Sequence, residues 1–122
     1  MTRFRSKVYS DTEGGSPTEQ EERVAQKTGG KRVSGSGASM YSKGDVRDVR
    51  LGDVDFLIEC KQTKYASLSV KWDWLTKISS EAITAQSEPA LSIEIKGGAD
   101  DNSTDRDWIM IPLRVFERMR NQ

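Results

Sequence analysis

Histidine is missing altogether from this 122-residue chain. Imidazole bases, Ser-His and Cys-His nucleophile pairs and most zinc sites are thereby excluded. Cysteine occurs once, at Cys60, so no disulfide can close within the chain, and a reducing, cytoplasmic setting is expected. Long apolar runs and a charged-apolar-small leader pattern are also lacking, which argues against a membrane partner. Net charge is zero, from 19 basic and 19 acidic residues, so any basic surface must be local. What remains for chemistry is carboxylate, Lys, Ser, Tyr or a hard metal ion. Ser34, Ser36 and Ser39 have no evident base, which excludes a serine hydrolase.

The length supports one domain. Residues 1–18 are polar, rich in Gly, Ser and Pro, and read as a flexible tail, leaving residues 19–122 as the folded unit. From Thr18, "TEQEERVAQKTGG" has a capping residue, early acids and a closing Gly pair, so it predicts a short helix. Thr18 with Glu21 fits a capping box. Residues 29–44, "GGKRVSGSGASMYSKG", read as a loop. Two strands follow, "DVRDVR" and "VDFLIECK", joined by a loop of about three residues centred on Gly52. The main helix is expected in "SVKWDWLTKISSEAITAQ", with Leu75, Ile78, Ala82 and Ala85 on one face. A third strand, "ALSIEI", turns Leu91, Ile93 and Ile95 the same way. A fourth, "DWIMI", precedes a helix opened by Pro112, with Leu113, Phe116 and Met119 on one face. The class is α/β: a small mixed sheet flanked by helices, in the order α-β-β-α-β-β-α.

The segment "GDVRDVRLGDVDFLIECK" places acids where strands should be. Alternation puts Glu59 and Lys61 on the face of Asp55 and Leu57, and Val54, Phe56, Ile58 and Cys60 on the other. A hairpin centred on Gly52 sets Asp45 opposite Glu59, with Cβ atoms about 4.5–5.5 Å apart. Two carboxylates that close need a proton or a cation between them, and a hard divalent ion suits them. Lys61 falls beside the pair. A one-residue slip would turn Asp45 to the opposite face. The alternative is an edge hairpin whose acids and Lys61 are simply solvated.

An Asp on one strand, then an apolar strand ending in Glu59-Cys60-Lys61, resembles the core of the PD-(D/E)XK nuclease superfamily. A preceding helix with a Glu and the loop "SGSGAS" are similar to the Holliday junction resolvases of archaea and to small phage nucleases of that type. The resemblance covers roughly residues 19–96. Gly44 stands before Asp45 where the superfamily pattern has Pro, and Asp48, Asp53 and Asp55 are neighbouring competitors. Of the helix acids, Glu21 shares the face of Val24 and Ala25, whereas Glu22 points elsewhere.

The resemblance implies that Asp45, Glu59 and the backbone carbonyl of Cys60 hold Mg²⁺ or Mn²⁺. It further implies that Lys61 orients the attacking water, that Glu21 joins the site and that Gln62 bonds the nucleophile or the DNA backbone. Lys31, Arg32, Ser36, Lys43 and Lys64 suit phosphate contacts, although a plain surface loop would carry the same residues. The implied activity is a metal-dependent DNA endonuclease acting on branched DNA such as a four-way junction. Nucleases of other DNA structures, or an inactive nucleic-acid-binding module, are the alternatives. A homodimer is expected, because resolving a junction needs two symmetric nicks. Trp72 and Trp74 cannot both face one core, so one of them, with "DWIMIPLRVFERM", offers interface material.

Overall fold

The computed structural model describes residues 17–33, 44–99 and 103–122. Its elements are α1 (Pro17–Thr28), β1 (Lys31–Arg32), β2 (Asp45–Leu51), β3 (Val54–Thr63), α2 (Trp72–Thr84), β4 (Glu88–Ile95), β5 (Asp107–Met110) and α3 (Leu113–Arg120). The five strands form one mixed sheet in the order β1-β2-β3-β4-β5. Only β3 and β4 run parallel, and α2 is their crossover.

Both faces of the sheet are covered. Val24 of α1 and Val115 of α3 pack with Val46, Val49, Val54, Phe56, Ile58 and Ala90 on one face. Ile78 and Ala82 of α2 pack with Leu57 and Leu91 on the other. β3 therefore buries side chains to both sides, as the middle strand of an α/β sheet must. An exposed edge hairpin is thereby excluded, since β2 and β3 each have a neighbour on both sides.

Several local expectations change. The first helix starts at Pro17, so Thr18 lies within it and Glu21 is too deep for a capping box. Lys31 and Arg32, expected in a loop, pair with Arg47 and Val46 as a short edge strand. Residues 34–43, with Ser36 and Lys43, lie outside the described residues, as do residues 1–16 of the expected tail. Ala85 caps α2 from beyond its end rather than extending its packed face. On α3, Val115 is the buried residue, while Leu113 is 82% exposed and Phe116 is exposed as well. A helix of eight residues seated by Val115 and Met119, one turn apart, turns Leu113 and Phe116 away from the sheet.

The hairpin turn is tighter than three residues. Leu51 pairs with Val54, leaving a two-residue turn of Gly52 and Asp53. Positive φ falls on Gly52 (64°) and not on Asp53, the type II′ pattern that demands glycine first. That register alone would set Asp45 opposite Cys60. A bulge corrects it: between the pairs Val46–Ile58 and Val49–Phe56, β2 carries Arg47 and Asp48 against the single residue Leu57. Asp48 takes φ 61° there and its carboxylate meets Arg47 at 2.7 Å. The extra residue also lets Val46 and Val49, three apart, enter the same core cluster.

Candidate active site

Asp45 lies directly opposite Glu59. The carbonyl of Asp45 accepts from the Val33 N–H, on the β1 side, so the Asp45–Glu59 pair is of the non-hydrogen-bonded kind, in which side chains stand closest. Thr63 directs its carbonyl toward the β4 side, to Lys96 N–H. By alternation Glu59 and Lys61 do likewise, and the Cys60 carbonyl points to the β2 side, level with the end of that strand.

Both carboxylates are buried, Asp45 to 1% and Glu59 to 5% exposure. Each Glu59 oxygen meets an ammonium: Lys61 Nζ at 3.0 Å from Oε2, and Lys77 Nζ at 3.5 Å from Oε1. Lys77 also reaches Glu81 at 3.4 Å, one helical turn further along α2. Burial pushes the Asp45 carboxyl up to about 8, helped by a hydrogen bond with Glu81 and by its charge, while Lys77 pulls the other way. The Lys61 ammonium stands 4.6 Å above the centre of the Trp74 ring. Trp74, Lys77 and Glu81 form one stripe of α2 at helical spacing and roof the hairpin acids.

The sequence reading did not bring Lys77 or Glu81 to the hairpin acids. The signal was the Lys77–Glu81 pair, four apart and flanking the buried Ile78 and Ala82.

The remaining candidates are distributed around this centre. Glu21 is buried on α1 and points toward Gly44, where an added Cβ would stand 3.3 Å from its Oε2. Gly44 has φ 101°, which proline cannot adopt. Glu22 is exposed, as its helical position requires. Arg32 is engaged by both acids, at 3.4 Å from Glu21 and 3.3 Å from Glu22. Gln62 is buried, but strand alternation turns it to the α1 face, away from Glu59 and Lys61. Lys31 is exposed on β1, and Lys64 sits over Tyr65 at 5.6 Å. The Cys60 thiol is pushed up to about 12, first by burial and then by the charges of Glu21 and Asp45, so it is not a nucleophile.

The donor set fits a hard divalent ion: two adjacent buried carboxylates, a backbone carbonyl directed to the same strand end, and no soft ligand other than a protonated thiol. Among the described residues no three acidic side chains form a ready metal cage. The ammoniums of Lys61 and Lys77 balance Glu59, while burial beside Glu81 favours the protonated form of Asp45. Among the same residues no helix is long and apolar enough to cross a membrane. Comparison with protein-family models, curated proteins and solved structures returns no match, so the chemistry rests on the chain's own residues.

Proposed function

We propose that the chain is a metal-dependent DNA endonuclease built on a PD-(D/E)XK core, hydrolysing phosphodiester bonds with a preference for branched DNA. The observation that carries this reading is the register that opposes Asp45 and Glu59 in a buried, non-hydrogen-bonded pair with Lys61 on the same face. Burying two acids together costs stability unless a proton or a cation shares them, and a divalent ion would relieve that cost with both acids ionised.

Asp45, Glu59 and the Cys60 carbonyl would hold Mg²⁺ or Mn²⁺. Bound there, the ion would acidify a water and offset charge on the scissile phosphate. Lys61, steadied by Glu59 and by the face of Trp74, would hold that water by hydrogen bond and meet the phosphate oxygens as charge develops on them. Glu21, beside Gly44 and held by Arg32, would add a further acceptor where the chain enters β2. Lys31, Lys64 and Lys71 would meet the DNA backbone around this centre.

The substrate preference follows from assembly. β5 is a sheet edge exposed along its whole length, with Trp108, Ile109 and Met110 unguarded by Lys or Pro. Trp72 of α2, 74% exposed, and the outward Leu113 and Phe116 of α3 add exposed apolar surface on either side of the sheet. A second copy is the occupant, because an antiparallel edge strand can pair with its own image about a two-fold axis. Two identical sites at fixed spacing would then nick a four-way junction symmetrically.

A panel of four-way junction, flap, linear duplex and single-stranded DNA, with Mg²⁺ or Mn²⁺ and with EDTA, tests the reading. Junction nicking is expected only with metal. Asp45→Asn or Glu59→Gln should slow it roughly a thousand-fold, the rate equivalent of several kcal/mol, while DNA binding persists. Cleavage in excess EDTA overturns metal dependence. Binding without cleavage under every condition marks an inactive nucleic-acid-binding module, and cleavage with no junction preference marks a nuclease of other DNA structures.

A further inference from the structure

The Asp45–Glu59 pair has a partner that the hairpin does not supply. Lys77 reaches over from α2 to Glu59 Oε1 at 3.5 Å and to Glu81 Oε2 at 3.4 Å. Ile78 and Ala82, each one residue further along, are buried in the sheet, so the helix cannot rotate to take Lys77 and Glu81 elsewhere. The cluster thus holds three carboxyl groups, Asp45, Glu59 and Glu81, against two ammonium groups, Lys61 and Lys77. A divalent ion that takes Asp45 and Glu59 as carboxylates with both ammoniums in place would bring four positive charges to three negative ones. Without Lys77 the count is three against three.

Geometry points to the ammonium that gives way. Lys61 holds Glu59 Oε2 and is braced by Trp74 behind it. Lys77 is bonded to the other oxygen at a longer distance, is 44% exposed, and has Glu81 as a second anchor one turn along its own helix. Its flexible stem can carry the charge from Glu59 to Glu81 with no backbone movement.

We propose that Lys77 is a tethered cation that competes with the divalent ion for Glu59 and withdraws to Glu81 when the ion binds, so that it sets the metal concentration at which the site fills. This rests on the metal-dependent reading above. Lys77 is a positioning residue; it touches neither substrate nor reacting water.

Mn²⁺ binding to the full chain, followed by electron paramagnetic resonance without DNA, tests it. Lys77→Met keeps the stem and removes the charge, and it should tighten Mn²⁺ roughly ten-fold, as expected for loss of one nearby positive charge in a partly buried site. Lys77→Gln should do the same, guarding against a packing effect of one substitution, and Lys77→Arg should stay near the wild-type value. Unchanged or weaker binding in Lys77→Met and Lys77→Gln overturns the proposal, and so does equal tightening in Lys77→Arg. Asp45→Asn separates the two levels. If it binds Mn²⁺ as the wild type does, the metal site at the hairpin is wrong; if it loses Mn²⁺ while Lys77→Met leaves affinity unchanged, only the role of Lys77 is wrong. No binding by wild type and Lys77→Met alike removes both.

Discussion

Asp45 faces Glu59 because a bulge absorbs the one residue more that β2 carries than β3 between the turn and the site. The two-residue turn starts the hairpin one step out of phase, and Arg47 with Asp48 restores the phase. The bulge thereby does two jobs. It brings the carboxylates together on the α2 face and returns both Val46 and Val49 to the opposite core.

Asp48 holds a left-handed backbone at φ 61°. Asp48→Gly should be tolerated in stability, whereas Asp48→Val should cost about 1–2 kcal/mol by urea unfolding, because a β-branched side chain is strained there. Deleting Asp48 should leave a folded hairpin by circular dichroism that still binds Mn²⁺, since the deletion removes only the extra residue, Arg47 then pairs with Leu57, and Asp45 stays opposite Glu59.

Lys61 and Trp74 should separate in kinetics. Lys61→Ala should depress the cleavage rate strongly with little change in DNA affinity, and Lys61→Arg should rescue poorly, because a planar fork does not replace a compact ammonium. Trp74→Leu removes the ring under the ammonium but not the charge. Its rate loss should be smaller, about ten-fold or less, the scale of one exposed cation–π contact. Single-turnover cleavage with parallel gel-shift titration reads both.

Phe116→Glu and Ile109→Lys replace exposed apolar residues outside the core. Each should convert a dimer to a monomer in multi-angle light scattering without lowering the melting temperature. Junction resolution should fall, while nicking of one strand persists. A wild-type chain that is monomeric at micromolar concentration would remove the resolvase and leave the nuclease.

Glu88 binds Arg114 at 2.9 Å and Arg118 at 2.9 Å, tying the start of β4 to α3. Hydrogen bonding from Arg114 and the charges of both guanidiniums hold its carboxyl below the ordinary value of 4.5 against a smaller effect of burial. A depressed carboxyl stabilises the fold above its unfolded value, and the contribution disappears as pH falls through the folded one. Glu88→Gln should therefore cost at most about 1 kcal/mol at neutral pH, given the exposure of both arginines. The difference from wild type should shrink as pH falls below 4.5, measured by urea unfolding across pH.

Much of this arrangement is written locally. The alternation of Glu59 and Lys61, the apolar spacing of Ile78 and Ala82, and the division of Trp72 outward from Trp74 inward follow from strand and helix periods, which depend on backbone geometry alone. The opposition of Asp45 and Glu59 was legible too, though through a three-residue turn rather than a two-residue turn and a bulge. Val46 and Val49, three apart, broke strict alternation and marked that bulge in the sequence. Tertiary structure decided what periodicity cannot express. Which face of α3 is buried depends on how a short helix lies across the sheet, and it chose Val115 over Leu113 and Phe116. Gln62 stands on the α1 face because β3 is covered on both sides and each parity has its own roof. Lys77 and Glu81 reached Asp45 and Glu59 only through the crossover that docks α2 on the hairpin. That contact joins residues far apart in the chain, and the burial of Leu57, Ile78, Ala82 and Leu91 sets it rather than any signal near the acids themselves.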